Sequence, residues 1–288
     1  MKKLLSLMLA ASGIGIVCLA QDGDDRWPVR EQETVQKTMT LSGEPMRLIV
    51  SNFNGYVHVR GTTGSQVHVV AHKTIRAETG PDLAQAKNEV KLDMTEQPGT
   101  VDIEYKAPWR CNGHCDDCNC DNRRRFYDVR YDIDVDAPRG ARPVISSLNG
   151  SIAVDQMDGD FDVHTVNGTI EMSGMGGSGD VHTVNGHVTV RFNKNPIRAT
   201  TVKSVNGQLE AYFQRGFSAD LYFKTLHGPV DANFDVTPLP VSAADAERKD
   251  GMFVYRSNRQ SAVRAGQGGP KISFETVNGG IRLYEGQD

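Results

Sequence analysis

The sequence predicts an all-β protein: a β-solenoid-like stack of short strands with Asn-Gly corners, preceded by an N-terminal β region with one short helix. Three observations carry this. A Ser/Thr-Val/Leu-Asn-Gly unit recurs along the second half of the 288 residues. Short runs alternate between apolar and polar residues, the period of a strand that buries one face. Glycine is abundant, Val, Thr and Ile recur, and aromatic residues are sparse, which suits many short strands joined by tight turns.

The chain opens Met1-Lys2-Lys3 and runs apolar from Leu4 to Leu19. A charged start followed by a short apolar core is the pattern of an export signal, and it is too short for a membrane span. Residues 1–20 are therefore expected to be removed after Ala20, leaving no transmembrane span. Lipid attachment at Cys18 is the rival reading. Val17 stands where that reading needs a small residue and Gly15 where it needs an aliphatic one. Loss of Lys2 and Lys3 leaves 30 basic against 36 acidic residues, a net charge of -6. No basic face suited to a phosphate backbone is apparent, and Arg123-Arg124-Arg125 reads as a solvated loop, so nucleic acid is not an expected partner.

The organisation read from the chain begins with a polar lead-in at 21–45. An N-terminal β region spans 46–145 and holds a cysteine-rich loop at 108–125. Strands are expected at Met46–Val50, Val90–Thr95, Val101–Tyr105 and Phe126–Val135. Gly80-Pro81-Asp82 resembles a helix start, and Leu83, Ala86 and Val90 follow at helical spacing, so a short surface helix is expected there.

The repeat region, 146–288, carries corners at Asn149-Gly150, Asn167-Gly168, Asn185-Gly186, Asn206-Gly207, His227-Gly228 and Asn278-Gly279. A degenerate copy, Asn54-Gly55, stands alone near the N-terminus. Asn-Gly is also the strongest short-range hairpin signature, so a meander competes with stacking. The match extends beyond the turn, however: Asp162-Val163-His164-Thr165-Val166-Asn167-Gly168 is nearly reproduced by Asp180-Val181-His182-Thr183-Val184-Asn185-Gly186. In-register stacking explains that identity, placing equal residues about 4.8 Å apart, with Val inside and Asn side chains bonded in a ladder. Glycine is expected for its tolerance of a left-handed corner. The polar stretch 243–269 reads as an inserted surface excursion.

The Thr-Val-Asn-Gly series, Asp136-Ala137-Pro138 and the closing run from Gly268 to Leu283 resemble a bacterial family of putative adhesins with β-strand repeats, domain of unknown function 4097. The resemblance covers about residues 46 to 285. It implies an exported or envelope β-repeat domain without catalytic residues, and it does not reach the cysteine-rich loop.

Cys111, Cys115, Cys118 and Cys120 fall within ten residues, with His114 among them. Four cysteines in an exported chain suggest two disulfides, in any of three pairings. Four thiolates beside an imidazole also suit Zn²⁺ or Cu⁺, and this is the alternative; no other cofactor is expected. The flanking runs 101–105 and 126–135 are read as a hairpin with the cluster at its tip.

His164 and His182 occupy equivalent positions one period apart and would form a weak histidine ladder. The acids near Asp155, Asp158, Asp160 and Asp162 suit turns and mark no glycosidase pair, and no nucleophile elbow, P-loop or dinucleotide fingerprint occurs. The expectation is a non-catalytic envelope protein, periplasmic or at the cell surface, that binds an envelope protein or glycan. The alternatives are a metal-binding envelope protein using Cys111–Cys120, and a polysaccharide-cleaving enzyme on a solenoid face. Nothing in the repeat specifies an oligomeric state.

Overall fold

The computed structural model describes residues 26–109, 125–240 and 261–286, with the backbone alone of 246–249 and 252–255. The first part of the chain forms β1 (Val29–Thr40), β2 (Arg47–Ser51), β3 (Val57–Thr62), β4 (Gln66–Ala77), α1 (Gly80–Glu89), β5 (Lys91–Gln97), β6 (Thr100–Lys106) and β7 (Tyr127–Pro138). Strand pairs then flank the corners: β8 (Arg142–Asn149) and β9 (Ile152–Asp155), β10 (Phe161–Asn167) and β11 (Ile170–Met175), β12 (Gly179–Asn185) and β13 (Val188–Phe192), β14 (Thr200–Asn206) and β15 (Leu209–Phe213), β16 (Ala219–His227) and β17 (Val230–Ala232). The chain continues through β18 (Val236–Pro238), β19 (Ala246–Lys249), β20 (Met252–Tyr255) and β21 (Ser261–Ala265), and ends in the pair β22 (Lys271–Asn278) and β23 (Ile281–Glu285).

Two large sheets account for nearly all of this. One runs β1-β4-β7-β3-β9-β11-β13-β15-β23-β17, the other β18-β21-β16-β22-β14-β12-β10-β8-β2-β6-β5, and neither closes into a barrel. Each corner carries the chain from the second sheet to the first, so the Asn-Gly pairs are not hairpin tips. Each strand instead pairs in parallel with its equivalent in the neighbouring repeat, as in Val163 with Val181 and Asn167 with Asn185. Inward residues of both sheets, among them Val163, Val181, Phe274, Ile170 and Leu209, form one apolar core with that of the N-terminal region.

Four expectations need correcting. The lead-in holds a 12-residue strand, β1, paired antiparallel along all of β4; its polar sequence suits an edge strand with water on most of its length. Strands β3 and β4 were also missing from the sequence reading. Second, β6 and β7 are not a hairpin. β6 pairs with β2 and β5 in one sheet, β7 with β3 and β4 in the other, so the cysteine-rich segment joins two sheets. Third, the inserted excursion is partly sheet: β21 pairs antiparallel with β16, and Ala262 and Ala265 are buried. Fourth, the repeats do not stack in chain order. The C-terminal pair β22–β23 lies between β14–β15 and β16–β17.

The helix falls where its start and spacing place it. Thr79 caps it, its hydroxyl accepting from the Asp82 N–H, and Pro81 stands in the first turn where no donor is needed. Ala86 and Val90 are buried and Leu83 packs on the core.

Candidate functional site

The corners build a continuous polar row. Asn149 Nδ2 donates to Asn54 Oδ1 (3.0 Å), Asn167 to Asn149 (2.9 Å), Asn185 to Asn167 (2.8 Å), Asn206 to Asn185 (2.8 Å) and Asn278 to Asn206 (2.7 Å). His227 Nδ1 meets Asn278 Oδ1 at 3.2 Å, and at the other end Asn54 Nδ2 donates to Asp128 Oδ1 (3.1 Å). Asn54-Gly55 therefore joins the row and does not stand alone.

The residue types at the corner follow from this stacking. Thr165, Thr183 and Ser204 are buried, and each hydroxyl donates to the glycine carbonyl of the preceding repeat, at 3.1, 3.0 and 3.0 Å. Val163 and Val181 lie inside as expected, whereas the Val of each Val-Asn-Gly faces outward, because the inward position beside the corner belongs to the Ser or Thr three residues before the glycine. Gly55 and Gly228 take the expected positive φ, but at the other corners glycine is required for a different reason. Gly150, Gly168, Gly186, Gly207 and Gly279 have no positive φ, but a Cβ on any of them would lie 1.8–2.1 Å from the glycine oxygen of the neighbouring repeat. Thr183→Val keeps the shape and removes the hydroxyl bond to Gly168. It should cost about 1–2 kcal/mol in urea unfolding, and a neutral result would show that this hydroxyl does not stabilise the corner.

His164 and His182 do come together, edge to face with ring centroids 6.1 Å apart. His164 pairs with Asp162, and the His182 imidazole is held below its usual range by burial, then by His164 and Lys203. Among the described residues, no three His, Cys, Asp or Glu side chains gather as a metal site. Cys111, Cys115, Cys118, Cys120 and His114 lie outside the described residues, as do residues 1–25.

Two of the cavities among the described residues are candidate sites. The first, about 310 Å³, is a dent in the outer face of the first sheet where Ala153 stands beside His58 and Glu171. His58 and Tyr56 are each engaged by a carboxylate. His58 Nε2 lies 2.7 Å from Asp155 Oδ2, and the Tyr56 hydroxyl donates to Asp134 Oδ2 (2.8 Å). Burial and that bond push the Tyr56 phenol up to about 12.

The second cavity, about 340 Å³, opens where the asparagine row ends. Sequence reasoning missed it because its residues come from four separate stretches. Arg26 and Trp27 precede β1, Phe53 and Asn54 form the corner after β2, Tyr105 and Trp109 lie in and after β6, and Arg125 precedes β7, which Tyr127 and Asp128 open. The separation of β6 and β7 into different sheets creates the space between them. Its walls are aromatic: Phe53 stacks on Tyr105 with centroids 5.6 Å apart, and Trp109 lies against Tyr127 at 5.8 Å. The Arg26 guanidinium sits over Trp27 at 4.7 Å and that of Arg125 over Trp109 at 4.2 Å. Burial, and then a hydrogen bond to Glu89, hold the Tyr127 phenol protonated well above its usual range. Trp109 Nε1 is buried without a hydrogen-bond partner among the described residues. Both tryptophans of the chain line this cavity, a clue available from their rarity and from the position of Trp109 beside the cysteine cluster.

No helix among the described residues is long and apolar enough to cross a membrane. No family model and no curated protein matches the chain. Among solved structures it is similar to a putative cell adhesion protein from Clostridium sporogenes, at 9% identity and a TM-score of 0.41, covering 88% of this chain and 100% of that one. It is also similar to a putative adhesin from Bacteroides fragilis, at 9% identity and a TM-score of 0.39, covering 87% and 97% of the two chains. A putative lipid binding protein from Parabacteroides distasonis gives 9% identity and a TM-score of 0.26, covering 88% and 97%. Likenesses this remote assign the chain to no family.

Proposed function

We propose that this chain is an exported cell-envelope protein whose β-solenoid-like scaffold serves binding and not catalysis, with an envelope glycan as its ligand. The observation that carries this reading is the aromatic cavity at the end of the asparagine row. Five aromatic side chains beside a few fixed polar groups suit a sugar ring, which offers apolar faces and a rim of hydroxyls. Tyr105 on β6 and Tyr127 on β7 give part of the wall strand support, which favours a preformed site. Hydrolysis of a glycosidic bond ordinarily needs two carboxyl groups across the bond. Asp128 is the single carboxylate among the described residues of the lining, and it already accepts from Asn54.

Electrophoresis of the intact protein through gels containing envelope polysaccharides tests the proposal. Migration should be retarded by at least one polysaccharide without release of reducing ends. Trp109→Ala should abolish the retardation while the unfolding midpoint shows the fold intact. Unretarded migration in every polysaccharide, or turnover of one, would overturn the reading.

A further inference from the structure

We infer that the aromatic cavity selects an acidic saccharide, a sugar ring bearing a carboxylate that Arg125 takes with Arg26 beside it; this rests on the glycan reading above. Charge is the first argument. The chain as a whole is acidic, with a net charge of -4, yet the described residues of this cavity set two guanidiniums against one carboxylate, and that carboxylate is engaged by Asn54. Arg125 has no carboxylate partner among the described residues. Among those residues Arg26 has only Glu78, at 3.9 Å.

Geometry is the second argument. A guanidinium lying on an indole face is held in place by cation–π attraction while its N–H groups point outward in its own plane. That arrangement presents a fork already immobilised for a carboxylate, so less side-chain entropy is lost on binding. The third argument is the buried Trp109 N–H, a donor that finds no acceptor among the described residues. A ring hydroxyl or ring oxygen supplies one. A neutral sugar would leave the guanidiniums unused, and a bare inorganic anion would leave the walls of Phe53 and Tyr127 empty. A ring with an attached carboxylate meets both sets of groups.

Because Trp27 and Trp109 are the only tryptophans, the intrinsic fluorescence of the intact chain reports this cavity. Titration with uronate oligosaccharides should shift the emission to saturation. The same oligomers with their carboxylates reduced to alcohols should bind at least about tenfold more weakly, a difference of about 1.4 kcal/mol. Arg125→Gln should bring the two affinities together while still binding the reduced oligomers, and Arg26→Gln should narrow the gap less. Equal affinity of the wild-type chain for acidic and reduced oligomers would overturn this inference and leave the glycan reading standing. An emission unmoved by any saccharide would overturn both.

Discussion

Gly186→Ala is expected to destabilise the protein by about 3 kcal/mol or more, the upper range for forcing atoms into a packed interior. An added Cβ would lie 2.0 Å from the Gly168 oxygen and 2.6 Å from its carbonyl carbon, both backbone atoms. No rotamer relieves that contact. The two repeats would have to move apart, and the Gly168 N–H to Asn185 carbonyl bond (3.0 Å) crosses the same gap. Gly80→Ala is the matched control. A Cβ there meets nothing within 4 Å, at the exposed start of α1, and should change stability by less than about 0.5 kcal/mol. Denaturant unfolding of the two variants decides the matter. Equal midpoints would mean that the corner accommodates a side chain and that close stacking does not explain the glycines.

A chain ending before Ser261 should lose protection not only where residues are missing but across residues 219–232. β16 pairs with β21 and β22, and β17 with β23 alone, so removal of the last segment leaves both without neighbours. The segment removed also contributes Ile272, Phe274, Ile281 and Leu283, all fully buried and each worth about 1.5–3 kcal/mol of apolar burial. Hydrogen exchange read by mass spectrometry should show β16 and β17 exchanging freely while β8 to β13 stay protected. Continued protection of 219–232 would mean that β16 docks directly onto β14, as a stack in chain order requires.

The corners were legible in the sequence because stacking imposes identity residue by residue. Asp162 to Gly168 recurs at Asp180 to Gly186, and those residues pair in register. The causes were less legible. Alternation puts Thr165 on the face of Phe161 and Val163, but does not give the reason a hydroxyl is tolerated there, which is the neighbouring glycine carbonyl it finds. The position of Asn278 between Asn206 and His227 leaves no trace in spacing, since pairing between strands 72 residues apart is decided by which edges remain open. β1 was hidden by its polarity, and the aromatic cavity by the distance along the chain between Trp27 and Trp109.

The amide row has a further consequence. Every side-chain amide in it points the same way, so its dipoles add head to tail like peptide units along a helix axis. The hydrogen-bearing pole falls at Asp128, where a carboxylate belongs. The oxygen-bearing pole falls at His227, where a group able to carry positive charge belongs. The stack thus possesses a macrodipole made of side chains, and each pole ends on a residue of the complementary sign.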